Sequence, residues 1–154
     1  MRLLFAALSG AALLSNAALA ASPEGIWMPE GGGLKVELSN CAGNLCGRVV
    51  WLGEPLDQEG QPKTDRLNPD PSKRDRPLIG LEVVHGMAPA GPDRWSGVIY
   101  NADDGRTYRA NLRVTDERTA VLEGCILKVL CLGHTWTRVA SPLEVANRRG
   151  ERTR

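Results

Sequence analysis

Phenylalanine is nearly missing from this chain of 154 residues: the one copy, Phe5, lies in the first twenty, so the folded part draws its large rings from four Trp and two Tyr. Histidine is scarce as well. His85 stands without a recognisable ligand set and His134 is an unremarkable residue at a strand start, so a His-based metal or general-base role is disfavoured for both. An excess of one charge is also lacking, with 19 Lys and Arg against 18 Asp and Glu. Arg2 falls in the leader, so the remainder is balanced at 18 of each, and nothing electrostatic points to nucleic acid or an anionic membrane as partner. Beyond the leader no apolar run reaches the roughly 20 residues of a spanning helix. No long helical period occurs either, which argues against a helix bundle.

What is present begins with that leader. Arg2 precedes an apolar run over residues 3–14, and Ala18-Leu19-Ala20 offers the small residues a signal peptidase prefers. The expected organisation is a cleaved signal peptide over 1–20, one barrel domain over 21–141 and a flexible basic tail over 142–154 that begins with a short helical turn. Export to the periplasm follows, without a lipid anchor, because no Cys stands directly after the signal.

Cys41, Cys46, Cys125 and Cys131 allow three pairings, among which sequence does not decide, although spacing favours the two local ones. Gly43-Asn44 supplies a tight turn inside the first pair. Rings this small imply about 2 kcal/mol of loop-closure stabilisation each. A zinc site of four thiolates is the alternative, and both the spacings and an oxidising compartment disfavour it.

Short alternating segments recur. Residues 34, 36 and 38 are apolar and 35, 37 and 39 polar, the pattern of a strand with one wet face. Further strands are expected over 25–28, 45–52, 78–84, 94–100, 107–114, 119–123 and 134–139, with Asp103-Asp104-Gly105 as a hairpin turn. Eight short strands joined by turns predict an all-β antiparallel barrel or sandwich, and the barrel is preferred because it removes both exposed edges. Residues 53–77 carry five Pro and many charges, and read as a loop across an opening or edge.

Gly25-Ile26-Trp27 opens the first strand and Trp136-Thr137-Arg138 sits in the last, an arrangement that resembles the calycin barrels, in which such an Arg lies across the first indole and closes one end. Over residues 25–138 the chain more closely resembles the DUF2147 family of small exported bacterial proteins. The match runs through Cys41-Ala42-Gly43-Asn44-Leu45-Cys46-Gly47-Arg48-Val49-Val50-Trp51, Asn68-Pro69-Asp70, Arg74-Asp75-Arg76-Pro77-Leu78-Ile79-Gly80-Leu81, Trp95-Ser96-Gly97-Val98-Ile99-Tyr100-Asn101 and Asp104-Gly105-Arg106-Thr107-Tyr108. Ala102 departs from the Pro the family tends to place before that turn. The resemblance implies a lipocalin-like β-barrel and a periplasmic address, and it brings no established activity or catalytic residue.

The most pointed polar cluster is Asn68, Asp70, Arg74 and Arg76, with Trp51 nearby in the family pattern. Paired guanidiniums suit a carboxylate or phosphate; equally, an internal carboxylate could pin them and lock the loop to the barrel. The acidic residues of the loop fail as an EF-hand, because Pro55 would fall at the first ligand position. No catalytic, metal or cofactor motif is complete. The leading expectation is therefore a non-enzymatic periplasmic protein holding a small apolar or anionic ligand in its barrel or under the 53–77 loop. A protein-interaction module in envelope maintenance or stress, contacting an envelope protein through the loop, is the alternative, and the volume left inside the barrel discriminates the two.

Overall fold

The computed structural model describes residues 22–126 and 130–152; the leader expected over 1–20 lies outside the described residues, as do 153 and 154. Eight antiparallel strands follow one another around a closed barrel: β1 (Gly25–Pro29), β2 (Leu34–Cys41), β3 (Asn44–Leu52), β4 (Glu82–Gly91), β5 (Arg94–Asn101), β6 (Arg106–Val114), β7 (Thr119–Ile126) and β8 (Leu130–Ala140). Pairing of β1 with β8 completes the ring, so every strand has two neighbours.

Period-two alternation decides which side chains turn inward. In β2, Val36 and Leu38 are buried, and in β6, Ala110, Leu112 and Val114 are buried between exposed Arg109, Asn111 and Arg113. With Trp27, Leu45, Met87 and Ala120 these residues fill the end of the barrel where β1 begins. The opposite end, where β1, β3 and β5 finish, stays open.

The two disulfides staple opposite ends. Cys41–Cys46 closes the β2–β3 hairpin beside the filled end, and Cys125–Cys131 joins β7 to β8 near the open one. Both local pairings are thus formed, and the thiolates that a zinc site would need are engaged. Ala42 and Gly43, both at positive φ, make the first turn, one residue earlier than the expected Gly43-Asn44.

Two expectations need correction. The strand expected over 78–84 starts only at Glu82, because Gly80 adopts φ +90° and Leu81 N–H bonds back to the Leu78 carbonyl at 3.1 Å, a turn that interrupts extended chain. After the barrel, the single helical turn becomes an eleven-residue helix, α1 (Pro142–Arg152). Ser141 and Glu144 bond reciprocally to each other's backbone N–H groups at 3.4 and 2.6 Å, a capping box with Pro142 in the first helical position. α1 lies against β1, and Arg149 pairs with Glu37 of β2 at 2.5 Å.

Candidate functional site

The open end leads into a cavity of about 1020 Å³. Register shows how the sequence builds its walls: Leu122, paired with His134, and Gly124, paired with Leu132, share the inward face with Ala120 and Trp136. Ile99 is paired with Tyr108 on β5 and β6, and both line the same space, whose floor is formed by Val36, Val84 and Trp136. Leu132 is 55% exposed although its row faces inward, because it looks into the cavity rather than onto packed atoms. The polar groups of the lining are Asp103, Asp104 and Tyr108 from the β5–β6 hairpin, Glu54 and Lys63 from the loop, and His134 on β8, one inward pair above Trp136.

Residues 53–81 border that mouth, pinned by a carboxylate with no solvent exposure. Asp65 Oδ2 accepts from Arg76 Nη2 at 2.7 Å, Arg76 Nε at 2.8 Å and Asn68 Nδ2 at 2.7 Å, while Oδ1 accepts from the Tyr100 hydroxyl at 2.5 Å. Asn68, 5% exposed, also donates to the Tyr100 oxygen at 3.0 Å, and the Arg76 guanidinium sits 5.7 Å over the Tyr100 ring. Burial raises the Tyr100 pKa above its ordinary value, and the bond to anionic Asp65 adds to the shift. Nearby, Asp70 caps a 3-10 turn over Pro71–Lys73 through Ser72, whose hydroxyl and backbone N–H lower the Asp70 pKa. Arg74 Nε donates to the Asn68 carbonyl at 2.8 Å. Glycine at 105 lets the loop come this close, since a Cβ there would stand 1.9 Å from the Leu67 oxygen, and φ is +70°.

A model of the DUF2147 family, described as an uncharacterized protein conserved in bacteria, matches residues 25–138. The chain belongs to this family. Among solved structures it is similar to protein HP1028 from the human pathogen Helicobacter pylori, described as belonging to the lipocalin family, with 22% identity, a TM-score of 0.68, and coverage of 83% of this chain and 89% of that one. At that identity the likeness concerns the fold. No curated protein matches.

In this DUF2147 barrel the filled end is capped by Arg138, whose guanidinium lies 4.2 Å from the Trp27 ring centroid. Arg138 donates to the carbonyls of Ser22, Glu24 and Glu117, and burial lowers its pKa. The Trp27 indole N–H donates to the Pro23 carbonyl at 2.8 Å, and the ring has no exposure. Gly25 allows the crossing, because a Cβ there would meet the Ala140 oxygen at 2.6 Å.

The structure therefore brings together Asn68 and Arg76, with Asp70 and Arg74 on the adjoining turn, and places Trp51 apart from them on β3, 40% exposed with Lys35 Nζ at 4.5 Å. Sequence reasoning misses Asp65, one of the loop acids that fail as an EF-hand, and the role of the Tyr100 hydroxyl. It also sets His134 aside. Asp65 is one of several loop carboxylates, and nothing in its neighbours marks it as the buried one; His134 could have been found by extending the period of two back from Trp136.

Proposed function

We propose that this chain is an exported, non-enzymatic carrier that holds a small molecule with a substantial apolar part inside its barrel, in the periplasm. The observation that carries the reading is the cavity: about 1020 Å³ of space above Trp136, walled by aliphatic side chains and open at one end. Volumes of several hundred to about 1,000 Å³ suit lipid-sized or drug-sized ligands. The lipocalin description of the H. pylori neighbour agrees with such a role. Two disulfides fit an oxidising compartment, and no helix among the described residues is long and apolar enough to cross a membrane. The envelope-interaction alternative would draw on exposed Val50, Trp51, Leu67 and Ile79, but the open interior favours carriage over a solid scaffold.

The test is native mass spectrometry of protein released from the periplasm, combined with uptake of the neutral fluorophore N-phenyl-1-naphthylamine. Gly124→Leu projects a side chain toward Ile99, whose Cδ1 stands 3.5 Å from the added Cβ position, and should reduce uptake without changing the β-sheet circular dichroism. A barrel that takes up no probe and carries no small molecule sinks the reading.

A further inference from the structure

The polar groups at the cavity mouth differ in how fully they are engaged, and this difference bears on what the cavity accepts. Lys63 Nζ is paired with Glu54 at 3.4 Å, which cancels one charge of each sign on the loop side. Across the mouth, Asp104 accepts from the Arg106 backbone N–H at 2.9 Å and from the Tyr108 hydroxyl. Burial works against its ionisation, but those hydrogen bonds prevail and lower its pKa, while the same contact raises that of Tyr108. The pair is thus a neutral phenol on a carboxylate at neutral pH. Asp103 lines the mouth beside it, and only its backbone N–H is bonded, to Asn101 Oδ1 at 3.1 Å. The His134 imidazole lies in the inward row one pair above Trp136, lines the cavity, and makes no hydrogen bond or ion pair among the described residues.

We propose that the ligand is an amphiphile with a hydrogen-bond-donating cationic head, such as an alkylamine, and that Asp103, Asp104 and His134 receive that head while the chain lies against Ile99, Leu122 and Trp136. The lining charges comprise three carboxylates and one ammonium; Lys63 pairs with Glu54, and Arg106 on the adjoining strand offsets Asp104, so the Asp103 carboxylate is the negative charge left over where a head would rest. A fatty-acid carboxylate placed there meets like charge in a partly desolvated cleft, whereas an ammonium meets opposite charge and open acceptors. The guanidiniums of the loop do not change this balance: Arg76 is engaged by Asp65, and none of Arg66, Arg74 and Arg76 lines the cavity.

This inference rests on the carrier reading, and the experiment separates the two. N-phenyl-1-naphthylamine is loaded into full-length mature protein and displaced at neutral pH with decylamine, decanol or decanoate, each below its micellar range. Decylamine should displace the probe at a concentration at least about tenfold lower than decanoate. The double substitution Asp103→Asn, Asp104→Asn should narrow that ratio to about threefold or less while decanol, which carries no charge, displaces as before. His134→Leu should weaken decylamine and decanol alike. If the wild-type protein takes up no probe, the carrier reading fails. If it does, and decanoate matches or outcompetes decylamine, or the double variant leaves the ratio intact, the cationic assignment fails by itself.

Discussion

Replacing Asp65 with Ala is the most direct measure of what ties the long loop to the barrel. The substitution removes a carboxylate with no solvent exposure that receives two guanidinium N–H bonds, an amide and a phenol. Deleting one partner of a buried ion pair costs about 3–5 kcal/mol, because the other charge is left uncompensated. Two features lower that figure. The Arg76 side chain is 40% exposed and regains hydration, and Asn68 Nδ2 keeps its 3.0 Å bond to the Tyr100 oxygen. We expect a loss of about 2–3 kcal/mol. At about 3–5 °C per kcal/mol for a domain of this size, Tm should drop by about 10 °C. Urea unfolding followed by circular dichroism measures the loss, and trypsin cleavage after Lys63, Lys73 and Arg74 should accelerate as the loop lifts. The cycle with Arg76→Ala should show a coupling energy above about 1 kcal/mol, since the two side chains act as one unit. A stability within about 0.5 kcal/mol of wild type, as expected for ordinary surface positions, or additive single losses, would refute the anchor.

Three further outcomes follow from the same geometry. Gly105→Ala should cost about 2–4 kcal/mol, from the left-handed backbone plus displacement of Leu67, whereas Gly60→Ala, at φ +75° with open space around it, should cost only about 1 kcal/mol; equal losses in chemical denaturation would remove the close-approach argument. Arg138→Ala should destabilise by about 2 kcal/mol and shift Trp emission to the red by opening the Trp27 cap, and an unchanged melt and spectrum would discredit the contact. For Tyr100 the folded pKa lies above the ordinary 10.0, so the stability it lends is complete below that value and is lost as pH rises through the elevated one. Urea midpoints measured through the alkaline range should fall more steeply for the wild type than for Tyr100→Phe, and identical slopes would show that Tyr100 does not supply this dependence.

Much of the barrel was legible because burial and strand geometry share a period of two. Residues 34–39 and 107–114 show it directly, and all eight expected segments overlap a strand of the structure. The error at 78–81 arose where Gly80 follows the apolar pair Leu78-Ile79: composition suggested strand, and a positive φ turned the chain instead. The tail was underestimated for a different reason. Its capping box is written in Ser141 and Glu144, but an isolated helix of this length is marginal, and β1 and Glu37 provide the support that extends it.

At the candidate site the division is sharper. Local pattern and spacing alone determined an all-β chain, two close cysteine pairs and a proline-rich loop of some length, since each depends on residues near one another in the sequence. Only the closed sheet decided which loop carboxylate is buried, that Arg76 is bound internally, and that a cavity remains above Trp136. Those outcomes depend on distances between residues tens of positions apart: Asp65 meets Tyr100 across a separation of 35, and Arg138 reaches the Glu24 carbonyl across 114. No one-dimensional pattern encodes such distances, because they are set by how the strands tilt and pair around the barrel.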